Sequence, residues 1–137
     1  MVQKVLLDTN ILLEILLQQE RFKECFHVLE RLSTGKFSAV VTNVAFLSLV
    51  IVAHRKKISS EKIEYFFSII FGIPSLTIEV VDSSELSEIF RLSHEISLDV
   101  EDSIQYFVAK KLGLPLMTLD KDFTKTDLQI IDPKDIL

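Results

Sequence analysis

Short apolar runs alternate along the chain with longer segments in which apolar residues recur every three or four positions. The short runs predict buried strands and the longer segments predict amphipathic helices. The predicted strands are 2–8, 37–41, 76–81, 116–119 and 129–131. The predicted helices are 10–18, 20–32, about 43–56, one that Ser59 or Ser60 caps and that Gly72 and Pro74 end, one that opens at Asp82, and 99–112. Strands separated by helices predict a parallel sheet with right-handed crossovers.

Apolar stripes on these helices predict the faces that pack inward. The stripes of the second, fourth, fifth and sixth helices are, in order, Phe22, Cys25, Phe26, Leu29 and Leu32; Ile63, Phe66, Phe67 and Ile70; Leu86, Ile89 and Phe90; and Ile104, Phe107, Val108 and Leu112. The first and third helices are apolar on most faces. Because helices one, three and four carry more apolar surface than one sheet face covers, the pattern also predicts a homodimer.

The 137 residues are expected to form one domain, 1–137, with a sizeable core. The single cysteine, Cys25, excludes an internal disulfide, and its helical spacing predicts a core position. No apolar run spans a bilayer and no secretory leader opens the chain, so a cytoplasmic location is expected. The net charge of −5 argues against a protein coated in phosphate-binding residues. It still allows a nucleic-acid enzyme with local basic groups.

Three carboxylates are predicted to lie at the same edge of the sheet. Asp8 ends the first strand, Asp120 ends the fourth, and Asp102 lies in the first turn of the sixth helix. In open parallel sheets, functional groups lie beyond the carboxyl ends of the strands. Carboxylates that gather there repel one another unless a cation neutralises them, and oxygen ligands favour Mg²⁺ or Mn²⁺. The sequence therefore predicts an acidic metal site.

Each of these acids also has a purely structural interpretation. Asp8 could cap the first helix, Asp102 with Asp99 could satisfy a helix N-terminus, and Asp120 could begin a turn. The same choice holds for other polar residues near the site. Thr9 and Asn10 could position a ligand or merely cap, Glu14 could point into the site or into water, and Glu101 and Asp122 could face solvent or add a ligand.

Basic residues are concentrated in the run 54–57, at the end of the third helix. Such a run commonly favours the helix dipole, and it is also the best candidate for a phosphate-contacting patch. His27, His54 and His94 lack metal-ligand spacing. The sequence contains no glycine-rich phosphate loop and no nucleophilic Ser or Cys with a paired base.

The residues 5–10, Val-Leu-Leu-Asp-Thr-Asn, resemble the opening motif of PIN domains. Glu101-Asp102-Ser103 before an amphipathic helix is similar to the central acidic motif of that family. The residues 113–123, which end in Leu-Asp-Lys-Asp-Phe, are similar to its closing motif. The resemblance covers the whole chain, with the motifs in the family's order.

This resemblance implies a three-layer α/β/α sandwich around a parallel sheet of about five strands. It also implies a Mg²⁺- or Mn²⁺-dependent ribonuclease, commonly the dimeric toxin of a toxin–antitoxin pair. Asp8, Asp102 and Asp120 would be the catalytic, metal-binding acids, with Asp122 as an outer ligand. Thr9, Asn10 and Ser48 would position substrate or water. The third helix departs from the family's pattern, because Ser48, or as the second choice Leu47, stands where the family usually has a Glu.

Two alternatives remain open. The absent Glu favours a degenerate PIN domain that binds RNA or a protein without cutting. A phosphoryl-transfer domain with Asp8 as nucleophile is less favoured. Haloacid-dehalogenase-like enzymes have a second Asp where this chain has Asn10, and receiver domains have paired acids after the first strand.

Overall fold

A computed structural model describes residues 4–136 and contains a five-stranded, fully parallel sheet. The strands are β1 (Lys4–Leu7), β2 (Ser38–Thr42), β3 (Leu76–Glu79), β4 (Leu116–Met117) and β5 (Ile130–Ile131). Their order is β3-β2-β1-β4-β5. The chain leaves β1 toward β2 on one side, and β4 pairs with β1 on the other. The order of strands therefore reverses at β1, and ligands of open parallel sheets bind beyond the carboxyl ends at such a point.

Six α-helices connect the strands: α1 (Thr9–Leu16), α2 (Phe22–Ser33), α3 (Asn43–Arg55), α4 (Ser60–Phe71), α5 (Leu86–Ile96) and α6 (Val100–Leu112). Side-chain caps fix several starts. The Thr42 hydroxyl accepts from the Ala45 N–H at the start of α3, and the Asp99 carboxylate accepts from the Asp102 N–H at the start of α6. Gly113 ends α6 with a φ of 65°, which suits glycine.

The alternation of side chains along the strands separates two layers of helices. Val5 and Leu7 belong to an apolar cluster that includes residues of α1, α2, α3 and α4. Leu6 belongs to a second cluster, with residues of α5 and α6. The predicted three-layer α/β/α arrangement is therefore confirmed. Within residues 4–136, no helix combines the length and apolarity needed to cross a membrane.

The element boundaries differ modestly from the predicted ones. Asp8 lies just beyond β1 rather than in it, β4 stops at Met117, and β5 holds only Ile130–Ile131. The predicted strand positions 2 and 3 lie outside the described residues. The predicted capping box of Asp82 and Glu85 is confirmed, but it opens a 3₁₀ turn, Ser83–Glu85, that precedes α5.

Several predicted inward faces are wrong in part. In α5 only Ile89 of the predicted stripe is buried, whereas Leu86 is 45% and Phe90 58% exposed. The Phe90 ring contacts His94 edge to face instead of entering the core. Phe26 and Leu112 are also exposed, and Phe26 stacks on Phe22. The apolar face of each of these helices is wider than the part of the helix that packs against the sheet. Cys25 is fully buried, as predicted.

Candidate metal site at the sheet edge

A cleft of about 270 Å³ lies beyond the carboxyl end of β1. Its walls come from the start of α1, one face of α3 and the first turn of α6. The lining residues are Asp8, Thr9, Asn10, Leu13, Ser48, Ile51, Val52, Arg55, Glu101 and Asp102. One water takes up about 30 Å³ of liquid. The cleft therefore has room for a hydrated cation.

Asp8 is fixed at the floor of this cleft. Its backbone N–H donates to the Met117 carbonyl, which continues the pairing of β1 with β4. Its carboxylate is 5% exposed and accepts the Thr9 N–H at 2.8 Å and the Thr118 hydroxyl at 2.7 Å. Asp8 is thus the N-cap of α1, as the structural interpretation proposed. A carboxylate has about four acceptor sites, so these two bonds leave capacity for a ligand.

Asp102, Asp120 and Asp122 form a second acidic group. One carboxylate oxygen of each lies within 4.8 Å of those of the other two. Asp120 caps a 3₁₀ turn, Lys121–Lys125, by accepting the Asp122 N–H. Asp102 belongs to this group and also lines the cleft with Asp8. The structure therefore brings all four predicted acids to one edge of the sheet, with Asp102 common to both sets.

Thr118 connects the two acidic sets, and the sequence interpretation did not single it out. Its hydroxyl donates to Asp8 and accepts from the Asn10 amide at 3.2 Å and from the Asp120 N–H at 3.0 Å. With both acceptor positions used, its only proton goes to Asp8. A hydroxyl two residues before Asp120, at the end of an apolar strand, was the signal available.

Thr9 and Asn10 connect elements of the site to one another. The side-chain oxygen Oδ1 of Asn10 accepts the Leu119 N–H, and its side-chain NH₂ donates to the Thr118 hydroxyl. The Thr9 hydroxyl accepts from Gln105 of α6 at 3.5 Å. Gln105 is another residue that the sequence interpretation missed, and its buried side-chain oxygen has no hydrogen-bond partner among the described residues. A buried polar residue one turn after Asp102 was the signal.

One face of α3 forms a wall of the cleft. Ser48, Ile51, Val52 and Arg55 follow the spacing that places residues on one side of a helix. Ser48 is nearly buried and faces the cleft where the family's Glu was expected. Its hydroxyl forms no side-chain hydrogen bond within residues 4–136. Arg55, from the predicted basic run, reaches the same cleft.

The two readings of Glu14 are both wrong. Glu14 is 8% exposed, lines no part of the cleft, and accepts the Arg21 N–H that leads into α2. It therefore closes the connection between α1 and α2. Glu101 is exposed and lines the cleft, so it faces both solvent and the site.

Burial and like charges raise two pKa values in the site. The pKa of Asp8 rises from 3.8 to about 6, chiefly because burial disfavours the charged form, with Asp120 and Glu101 adding repulsion. The pKa of Asp102 rises to about 7, again chiefly through burial, followed by repulsion from Asp99 and Asp8. Repulsion between the crowded carboxylates contributes to both rises in pKa, but burial is the larger cause. A cation at this edge would relieve both penalties.

These shifts predict how stability depends on pH. Between pH 4 and 7 the folded protein holds a proton on Asp8 that the unfolded chain has released, so stability falls as pH rises through this window. In EDTA, the free energy of unfolding of wild type minus that of Asp8→Asn should fall by on the order of 2–3 kcal/mol from pH 4 to pH 7. Urea unfolding at several pH values measures it. A difference that stays constant would contradict the raised pKa.

The donor set fits a hard divalent cation. The grouped oxygens of Asp102, Asp120 and Asp122 and the free acceptor capacity of Asp8 are all carboxylate oxygens, which suit Mg²⁺ or Mn²⁺. Ser48 adds a hydroxyl without charge. The residues present therefore fit a cation held by carboxylates, with one charge fewer than the resemblance implies.

Comparison with known proteins agrees with this geometry. A family model described as PIN domain matches residues 5–128. No curated protein matches the sequence significantly. Several solved structures share the fold.

A chain of a toxin–antitoxin complex from Klebsiella pneumoniae is 22% identical, with coverage of 94% of this chain and 97% of that one and a TM-score of 0.64. VapC20 of Mycobacterium tuberculosis, described as a sarcin-ricin loop cleaving toxin, is 15% identical, with coverage of 94% and 99% and a TM-score of 0.73. A chain of VapBC2 from Rickettsia felis, bound to a DNA fragment from their promoter, is 16% identical, with coverage of 95% and 98% and a TM-score of 0.65.

Proposed function

The chain belongs to the PIN domain family, and from that premise we propose that it is a metal-dependent endoribonuclease that hydrolyses RNA phosphodiester bonds. One observation carries the proposal: Asp8, Asp102, Asp120 and Asp122 lie at the same sheet edge, at the point where the strand order reverses. A Mg²⁺ or Mn²⁺ ion there would supply positive charge against the charge that develops on the phosphate and would activate water.

The residues of the chain have distinct roles in this proposal. Asp8 and Asp102 both line the cleft, and Asp120 and Asp122 form a carboxylate group with Asp102. Thr118 holds the Asp8 carboxylate in one orientation through its single proton. With a pKa near 7, Asp102 can gain or lose a proton at neutral pH in the cation-free protein.

RNA cleavage tests the proposal. Wild-type protein should cut single-stranded or looped RNA in millimolar-scale Mn²⁺, an excess chosen roughly for weak sites, and should not cut in EDTA. Protein that binds RNA but never cuts it would support the second candidate, a degenerate PIN domain that acts as a binding module. The specific observation in favour of that candidate is Ser48, which leaves the α3 wall without a carboxylate.

The neighbours support a further step. Two of the similar structures belong to toxin–antitoxin complexes, and we propose that this chain is likewise the toxin of such a pair, held inactive by a protein antitoxin. An adjacent small reading frame that encodes a DNA-binding protein would be the simplest genetic support. We further propose that residues 1–137 act as one domain, since the sheet takes strands from Lys4 to Ile131. As the toxin of such a pair, the protein would act in the cytoplasm.

A homodimer is expected as well. Exposed apolar side chains outside the cleft are concentrated on α3 and α4, namely Leu47, Val50, Tyr65, Ile69 and Phe71. Apolar surface of this extent on neighbouring helices is typical of an interaction surface. Light scattering at about tens of micromolar, a range chosen from common interface affinities, should give twice the monomer mass. A monomer at that concentration would contradict the expectation.

A further inference from the structure

Of the residues in the 4–136 range that line the acidic cleft, Arg55 is the only basic one. It is exposed, and it forms no ion pair or side-chain hydrogen bond with any residue in the 4–136 range. Most cations that do have carboxylate partners, such as Lys110 and Lys111, lie elsewhere on the surface. Because the Arg55 guanidinium does not pair with the carboxylates of the cleft, all five of its N–H donors are available to another anion.

Arg55 lines the cleft without pairing with its carboxylates. It follows Ser48 by seven residues on the same face of α3, so it lies about 10 Å further along the helix axis. Ile51 and Val52 lie between Ser48 and Arg55 on this face, and Ile51 is 42% exposed. Along α3 the wall of the cleft therefore passes from a hydroxyl through apolar side chains to a cation.

A cation in this position offsets the repulsion between the acidic site and a negatively charged substrate. The chain has a net charge of −5, and the cleft and its edge contain Asp8, Glu101, Asp102 and Asp120. An approaching phosphodiester is repelled by that charge, and one divalent cation offsets only part of it. The Arg55 guanidinium in the α3 wall attracts a phosphate through short, paired hydrogen bonds.

We propose that Arg55 binds a backbone phosphate of RNA next to the one that reaches the carboxylates, so that the strand crosses the exposed Ile51 between the two contacts. This inference rests on the proposed function and specifies how that site takes its substrate. The substrate is then a strand with at least two phosphates in the cleft. Arg55 acts as a binding and positioning residue, because it does not touch the reacting phosphate.

Fluorescence anisotropy with a labelled single-stranded RNA in EDTA tests the proposal, because binding is then measured without cleavage. Arg55→Ala should weaken RNA binding about tenfold, as expected for a lost charged hydrogen bond, and should reduce the slope of log affinity against log salt by about one. Arg91→Ala is the matched control. It removes the same side chain from α5, where Arg91 is exposed and lies outside both the cleft and the basic run 54–57, and it should change affinity less than about twofold.

Arg55→Lys keeps the charge but loses the planar fork, so its affinity should lie between those of wild type and Arg55→Ala. Circular dichroism verifies that each variant is folded. With Mn²⁺ present, Arg55→Ala should raise KM for RNA more than it lowers kcat. Equal losses for Arg55→Ala and Arg91→Ala would overturn the proposal in favour of a general effect of positive charge, and wild-type affinity in Arg55→Ala would overturn it outright.

The outcomes separate this proposal from the proposed function. Wild-type cleavage together with undiminished binding by Arg55→Ala rejects only the role of Arg55. Binding that depends on Arg55, without cleavage in Mn²⁺, keeps that role and rejects the nuclease. Wild-type protein that neither binds nor cuts RNA rejects both.

Discussion

The rate of Mn²⁺-dependent RNA cleavage should fall about a hundredfold or more when Asp8 is replaced by asparagine, since metal-assisted charge stabilisation contributes several kcal/mol. Asparagine has nearly the same shape but no charge. The substitution also disturbs the hydrogen bonds of the site. If the amide oxygen accepts the Thr118 proton, the amide NH₂ faces the Thr9 N–H, so one of the two bonds to position 8 is lost.

Removal of a buried charge offsets that lost bond, so the fold should persist. Circular dichroism and urea unfolding at pH 7 should show a variant about as stable as the metal-free wild type. Glu88→Gln is the matched control: Glu88 lies in the first turn of α5, is exposed, and is on the other side of the sheet from the α3 wall. It should cut RNA at the wild-type rate. Cleavage by folded Asp8→Asn at the wild-type rate would remove Asp8 from the site.

The second large effect is expected at position 48. Ser48 faces the cleft with a hydroxyl that forms no side-chain bond within the described chain. Ser48→Glu adds one oxygen ligand and one negative charge beside the carboxylates, and charge and oxygen count govern the affinity for such cations. Mn²⁺ affinity should therefore rise about tenfold, the lower end of the range for changes around a metal site, and RNA cleavage should rise with it.

Titration calorimetry with Mn²⁺ measures this change directly. Ser48→Gln is the matched control, because it has the length of glutamate without its charge. A second readout is thermal unfolding. Without metal, the added carboxylate is repelled by Asp8 and Asp102 and should lower the melting temperature, and Mn²⁺ should restore it. Equal Mn²⁺ affinity in wild type, Ser48→Glu and Ser48→Gln would mean that position 48 is not a vacant ligand position.

The layout of the fold follows from patterns that the sequence displays. The β1 run Val5, Leu6 and Leu7 is apolar on both faces because both faces are covered by helices, and this predicts a buried parallel strand. Caps such as Thr42 and Asp99 place the helix starts within about a residue. The depth of burial is harder to predict. Leu86 and Phe90 have helical spacing with Ile89, but only Ile89 meets the sheet.

For the site, too, the positions of the main residues along the fold could be predicted, but their detailed contacts could not. The strand-end rule brings Asp8 and Asp120 to one edge, and the first turn of α6 adds Asp102. Their metal-binding role remains a prediction. Contacts between distant side chains do not follow from local pattern. The role of Thr118 depends on the pairing of β1 with β4. The hydrogen bond that Glu14 accepts from the Arg21 N–H depends on the geometry of the connection between α1 and α2.

The Thr118 hydroxyl also has a consequence for the timing of synthesis. It lies 110 residues after Asp8, and it is the group that orients that carboxylate. A nascent chain therefore emerges from the ribosome with Asp8 and Asn10 long before the partner that fixes them, and before Asp120 exists. If the chain cleaves RNA as proposed, its cutting site is completed only after residue 120 has left the exit tunnel. The site that would cleave RNA is therefore completed only late in the synthesis of the protein.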